Sequence, residues 1–129
     1  MLRECERVLR PTGRMSGYVI HVAPGLSTEE LALATELGPS EVTAVGTPPS
    51  GHAERAGFDV VRQEDVTSDF RETCAAILQA RAMHEATLRE EEGDEWFEEE
   101  RSKKSALMEG IDRGFLRRSF IVVRKQAGC

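Results

Sequence analysis

The sequence predicts an α/β fold, and three features carry that prediction. A helical stripe leads through a tight turn into a β-rich run at residues 15–22. A second such run begins at Phe58, directly behind Ala56-Gly57. A third closes the chain after two long helical segments. The 129 residues suffice for one small domain with a real core. Apolar residues make up 40% and charged residues 31%, a soluble, globular composition.

Leu2, Cys5, Val8 and Leu9 recur at helical spacing. Pro11 cannot continue a helix, and Gly13 is expected to take the positive φ of the turn. Met15, Tyr18, Val19, Ile20 and Val22 then suit a buried strand. The connection at 23–57 is mixed. Ser27 or Thr28 caps a short helix to about Leu37, with Glu29 and Glu30 in its first turn, and Gly38-Pro39 stops it. The stretch 42–45 is apolar but short. Ser50 starts another helical turn, with Gly57 as its C-cap.

The second strand is expected at 58–66. Thr67 or Ser68 caps one long helix to about Glu92, whose stripe holds Phe70, Cys74, Ile77, Arg81, His84 and Leu88. A second helix runs from about Asp94 to Arg113, weakened by Gly110, stopped by Gly114 and anchored by Trp96 and Phe97. Residues 115–125, with Phe120, Ile121, Val122 and Val123, form the strongest strand. The tail after Lys125 is expected to be loose. One domain therefore divides into a helix and strand at 1–22, a connection with short helices at 23–57, a strand at 58–66, a helical insertion at 67–114 and a final strand at 115–125.

A net charge of −6 argues against nonspecific binding to nucleic acid or to an anionic membrane surface. No apolar run approaches the ~20 residues of a membrane helix. The charged N-terminus leaves no signal-peptide core. Cys5, Cys74 and Cys129 are odd in number and far apart, with no C-x-x-C pair. They read as reduced thiols of a cytoplasmic protein. His52 and His84 lack a metal-binding companion at helical spacing, so no metal site is expected.

Arg7-Val8-Leu9-Arg10-Pro11 with Gly13 resembles the approach to the fifth strand of class I S-adenosylmethionine-dependent methyltransferases, with Thr12 replacing that family's usual first glycine. Ala56-Gly57-Phe58 and the closing Gly114-Phe115-Leu116-Arg117-Arg118 resemble its entries to the sixth and seventh strands. The chain thus resembles the C-terminal half of such an enzyme, of the branch with small-molecule substrates. The resemblance implies a partial Rossmann-like methyltransferase fold. Its three-stranded sheet has the last strand antiparallel between the other two, and the two longer helices are inserted before that strand to shape a substrate pocket. In the family, a Gly-rich loop and an acidic strand end in the other half hold the cofactor. No G-x-G-x-G occurs here, so no cofactor residue carries over and the chain alone is not expected to bind S-adenosylmethionine.

Three side chains are substrate-facing candidates. His21 ends the first strand, where open α/β sheets place ligands. It reads as a substrate contact or general base, or else as a histidine bonded to a nearby backbone group. Asp65, beside Glu64, ends the second strand, either facing a ligand or bonding to a loop amide. His84 on the helical stripe faces a pocket, or is partly buried against Glu85 or Glu100. No catalytic residue is assigned. The acidic run from Arg89 to Glu100 reads as a solvated junction, and Arg117, Arg118, Arg124 and Lys125 as charges solubilising a sheet margin. The leading reading is the substrate-side portion of a methyltransferase, inactive without its cofactor half. That half, or a second copy, would pair at the open sheet edge. The alternative is a non-catalytic binding or dimerisation module derived from one.

Overall fold

The computed structural model describes residues 1–39 and 47–127, so the apolar stretch 42–45 and Cys129 lie outside the described residues. In chain order the elements are α1 (Leu2–Val8), β1 (Arg14–Val22), α2 (Thr28–Leu37), α3 (Pro49–Arg55), β2 (Phe58–Asp65), α4 (Thr67–Met83), α5 (Glu85–Glu92), α6 (Asp94–Asp112) and β3 (Leu116–Lys125). The strands form one sheet of order β1-β3-β2, with β3 antiparallel to both neighbours. The last strand is therefore the central one, and β1 and β2 run parallel on either side of it. This is the arrangement the family resemblance implied.

Alternation along β3 sends its side chains to two faces. On one face, Leu116 joins Val22, Ala34 and Phe115 in a core closed by α2 and α6 through Leu31, Leu37, Leu107 and Ile111. On the other, Ile121 and Val123 join Ala53 and Phe58. Leu2, Cys5 and Leu9 of the N-terminal segment pack onto this second core. Helix α2 begins with a complete capping box: Glu30 N–H donates to Ser27 Oγ at 3.1 Å, and Ser27 N–H donates to Glu30 Oε1 at 3.0 Å. Strand β2 carries a bulge, with Val61 unpaired between Val60 and Arg62.

Several local expectations are corrected. The positive φ of the first turn falls on Thr12 (60°), not on Gly13. Gly13 is required for space instead, since a Cβ there would lie 2.8 Å from the Arg10 carbonyl oxygen. The long helix expected to reach Glu92 breaks at His84 (φ −111°, ψ 24°), although no glycine or proline marks the site. The break turns α5 back so that Arg81 pairs with Glu92 at 2.7 Å and α5 packs on α6. Thr67 does not cap α4 with its own side chain. The N-cap is Val66, and Asp65 Oδ1 accepts the Thr67 N–H at 2.9 Å.

Of the two aromatics expected to anchor α6, only Phe97 does so, at 2% exposed, whereas Trp96 is 51% exposed. The guanidiniums of Arg81, Arg89 and Arg101 all lie over the Phe97 ring. The same arginines pair with Glu85, Glu92, Asp94 and Glu98, so part of the acidic run is neutralised within the helical insertion rather than simply solvated. Of the basic residues of β3, Arg117 and Arg124 are exposed as expected, but Arg118 and Lys125 are packed against the protein. Arg118 lies between Tyr18 and Phe70, at 4.1 and 4.4 Å from their ring centroids. Lys125 Nζ donates to the Leu9 carbonyl at 3.1 Å.

Two glycine-related sites yield stability predictions. A left-handed conformation costs an L-residue roughly 1–2 kcal/mol, partly offset by the ~0.4–1 kcal/mol that a glycine costs through the unfolded chain. Thr12→Gly is therefore expected to stabilise the fold by about 0.5–1 kcal/mol, read as a rise of roughly 3 °C in Tm. Gly110, expected only to weaken α6, is a point of close approach. A Cβ there would meet Leu116 Cδ1 at 2.5 Å and Cγ at 3.0 Å, and Leu116 is only 1% exposed with no room to retreat. Gly110→Ala gains up to ~1 kcal/mol of helix propensity and loses about 1–3 kcal/mol to overpacking. The expected result is a lower urea midpoint at unchanged m-value.

Candidate functional site

Among the described residues, α1 and α3 pack on the half of one sheet face that holds Ile121 and Val123. Beyond Ile121, the residues on the same face of β3 are Ser119 and then Arg117. Across the ladders, Ser119 lies opposite Val19 and Asp65, and Arg117 lies opposite His21. This half-face sits at the carboxyl ends of the two parallel strands, where α/β sheets bind ligands. It forms a cavity of about 290 Å³ lined by His21, Gln63, Asp65, Arg117 and Ser119, with Pro24 and Pro48 at its margin.

His21 Nε2 lies 2.8 Å from Ser119 Oγ, and Nδ1 lies 3.1 Å from the Val22 carbonyl. A carbonyl only accepts, so Nδ1 carries the proton and Nε2 accepts the Ser119 hydroxyl. Burial of the ring holds the His21 pKa below its usual value. The Val22 hydrogen bond and the Asp65 charge oppose that shift, and the Arg117 charge adds to it. Asp65 Oδ1 accepts from both the hydroxyl and the N–H of Thr67, and these bonds hold its carboxyl below the usual carboxylate range. The site at neutral pH thus contains a neutral imidazole with its lone pair directed at a serine, an ionised carboxylate and a permanent cation.

Two of the three sequence candidates, His21 and Asp65, meet here. His84 does not line this cavity. It is exposed at the break between α4 and α5, not partly buried on an apolar stripe. Glu64, the neighbour of Asp65, points to the opposite sheet face and pairs with Arg62. Sequence reasoning missed Ser119 and gave Arg117, which is exposed, only a solubilising role. Among the described residues Ser119 is the buried polar one, 3% exposed in a strand whose other buried side chains, Leu116, Ile121 and Val123, are apolar. A lone serine within Arg118-Ser119-Phe120-Ile121 was the available signal. Among the described residues, no group of His, Cys, Asp or Glu side chains is arranged to hold a metal ion, and no helix is long and apolar enough to cross a membrane.

Comparison with known proteins places the fold. No family model matches the chain, and no curated protein matches it in sequence. Solved structures do match. A Galdieria sulphuraria protein assigned as a sarcosine dimethylglycine methyltransferase aligns over 99% of this chain with a TM-score of 0.81 at 15% identity. Phosphoethanolamine N-methyltransferase 2 of Haemonchus contortus, solved with phosphomonomethylethanolamine and S-adenosylhomocysteine, aligns over 97% with a TM-score of 0.73 at 15% identity. A cyclopropane synthase of Mycobacterium tuberculosis aligns over 96% with a TM-score of 0.71, also at 15% identity. The chain spans 47%, 29% and 48% of those three chains. The shared property is the fold: this chain has the architecture of part of a methyltransferase-type α/β domain.

The described residues do not form a cradle for S-adenosylmethionine. The turn after β1 holds one glycine, Gly25, and the N-terminus of α2 that it feeds is already occupied by the Ser27–Glu30 capping box. Asp65 is a carboxylate at a strand end, but one of its oxygens is committed to Thr67.

The lowered His21 pKa has a stability consequence. The unfolded chain binds this proton more tightly than the folded one, so stability is fully present above the ordinary histidine pKa near 6.5 and declines as pH falls below it. Asp65 acts in a separate window, below about pH 4. Melting temperatures measured from pH 7.5 to 5 are expected to fall in the wild-type chain. His21→Gln should flatten that slope, and an unchanged slope would show that His21 is not held neutral.

Proposed function

We infer that this chain is the C-terminal, substrate-side portion of a class I S-adenosylmethionine-dependent methyltransferase acting on a small molecule. The observation that carries the reading is the cavity at the carboxyl ends of β1 and β2, in a sheet whose reversed last strand lies between them. The likeness to methyltransferases named above supports it.

In this reading the chain supplies the acceptor's environment. Methyl transfer depends on holding the accepting atom in line with the donor and on removing its proton where it carries one. His21 and Ser119 form a relay for that proton. The acceptor's proton passes to Ser119 Oγ as the Ser119 hydroxyl proton passes to His21 Nε2. The resulting imidazolium is stabilised by the Asp65 charge. Arg117 orients the acceptor's own negative groups. The methyl donor's binding residues belong to the other half of the domain, and this chain alone is inactive.

The outer edge of β1 is the natural docking place for that half. Among the described residues β1 has β3 as its sheet partner on one side, and Tyr18 (59% exposed) and Val19 stand exposed along the strand. An unpaired nine-residue edge of this kind invites a further strand. A second copy pairing there would give the dimerisation module instead. The free thiols of Cys5 and Cys74 fit a cytoplasmic setting.

The test compares the 129-residue chain with the same chain extended by its upstream reading frame. The extended protein is expected to encode a strand followed by G-x-G-x-G and to show a Tm rise of several degrees with S-adenosylmethionine, while the 129-residue chain shows none. A Tm rise of the short chain at micromolar ligand would overturn its assignment as the half without the cofactor site. An extended protein that ignores the ligand would overturn the methyltransferase reading itself.

A further inference from the structure

We propose that the His21–Asp65–Arg117–Ser119 cavity takes a small zwitterion, with its anionic group on Arg117 and its ammonium group on Asp65. The proposal rests on the substrate-side reading above and names the class of acceptor. At about 30 Å³ per non-hydrogen atom, the liquid-water share, a cavity of about 290 Å³ holds about ten such atoms. A ligand this small cannot rely on apolar burial alone. Its charged groups must be matched, or their desolvation goes uncompensated.

The cavity offers two opposite charges that feel each other but form no ion pair among the described residues. Arg117 makes no ion pair and no side-chain hydrogen bond among the described residues, and its guanidinium is permanently charged and shaped to grip a carboxylate or phosphate with two N–H groups. Asp65 uses Oδ1 for both Thr67 bonds, which leaves Oδ2 without a protein donor among the described residues. Because Asp65 lies opposite Ser119, Arg117 is its diagonal cross-strand neighbour on the same face, a spacing of about 7–8 Å between backbones. That span accommodates a molecule whose two charges are separated by two or three bonds.

The third polar group fits the same ligand. His21 is neutral, so it does not compete with the ligand's ammonium for Asp65, and its lone pair is already committed to the Ser119 hydroxyl. Ser119 Oγ therefore has an acceptor lone pair to offer a donor N–H of the ligand. Pro24 and Pro48 contribute no backbone N–H donors and close the margin with rigid apolar surface. A purely anionic ligand would leave the Asp65 charge facing it, and a purely cationic ligand would face Arg117. Only a ligand with both charges satisfies both walls.

The test follows the His21 imidazole resonances of the 129-residue chain by NMR during titration with β-alanine, and with propionate and propylammonium as single-charge analogues of similar size. β-Alanine is expected to shift His21 and saturate in the millimolar range, with each analogue at least tenfold weaker. Arg117→Gln and Asp65→Asn are each expected to weaken β-alanine at least tenfold. The asparagine keeps an oxygen for Thr67, and an unchanged Tm certifies the fold. Propionate saturating as tightly as β-alanine, or β-alanine leaving His21 unmoved, would overturn the proposal. Failure of the zwitterion with S-adenosylmethionine binding intact in the extended protein would leave the methyltransferase reading standing. The reverse outcome would leave a zwitterion site in a protein that is not a methyltransferase.

Discussion

Everything in this molecule depends on β3 pairing with two strands at once. β1 and β2 run parallel, and no hairpin can join them. Each finds its ladder only on β3, the last element in the sequence. Leu116, near its start, seals one core with α2 and α6, while Ile121 and Val123 seal the other with α1 and α3. The absence of a side chain at Gly110 lets α6 approach Leu116 closely enough to complete the first core. A chain that pairs its last strand into its centre must wait for its most distant contacts, which is entropically costly and slow.

The helical insertion is organised by an aromatic ring rather than by an apolar stripe. Burying Phe97 is worth about 2–3 kcal/mol, whereas the solvent-screened, partly exposed ion pairs around it are each worth on the order of 1 kcal/mol or less. The ring is therefore the anchor, and the arginines stacked on it carry the acidic residues into place. Arg118 uses the same device on the sheet. It lies between Tyr18 and Phe70, and its Nε is buried without a hydrogen-bond partner among the described residues. In a chain with one tryptophan, one tyrosine and five phenylalanines, cation–π contacts link elements that apolar packing alone would leave loose.

The candidate site is a by-product of the same strand order. His21, Asp65, Arg117 and Ser119 come from three strands, and only the insertion of β3 brings them to one face. The environments of His21 and Asp65 favour opposite charge states. The imidazole is kept neutral by burial, and the carboxylate is kept ionised by two donors from Thr67.

By itself the sequence determined the α/β class, the three strands, a cap of α2 at Ser27 or Thr28 and the stop at Gly114, because alternation, capping and left-handed glycine are local rules. It also placed His21 and Asp65 at the ends of their strands, since strand ends are legible from hydropathy. The tertiary structure alone decided what depends on distant partners. Whether Thr12 or Gly13 takes the positive φ depends on the room beside the Arg10 carbonyl. The break at His84 follows from α5 folding onto α6, not from any breaker residue. Arg117 and Ser119 look like a surface charge and a strand filler until β3 is inserted between its neighbours. Pairing across 98 positions then gives His21 its hydroxyl partner, a contact that no local window of the sequence contains.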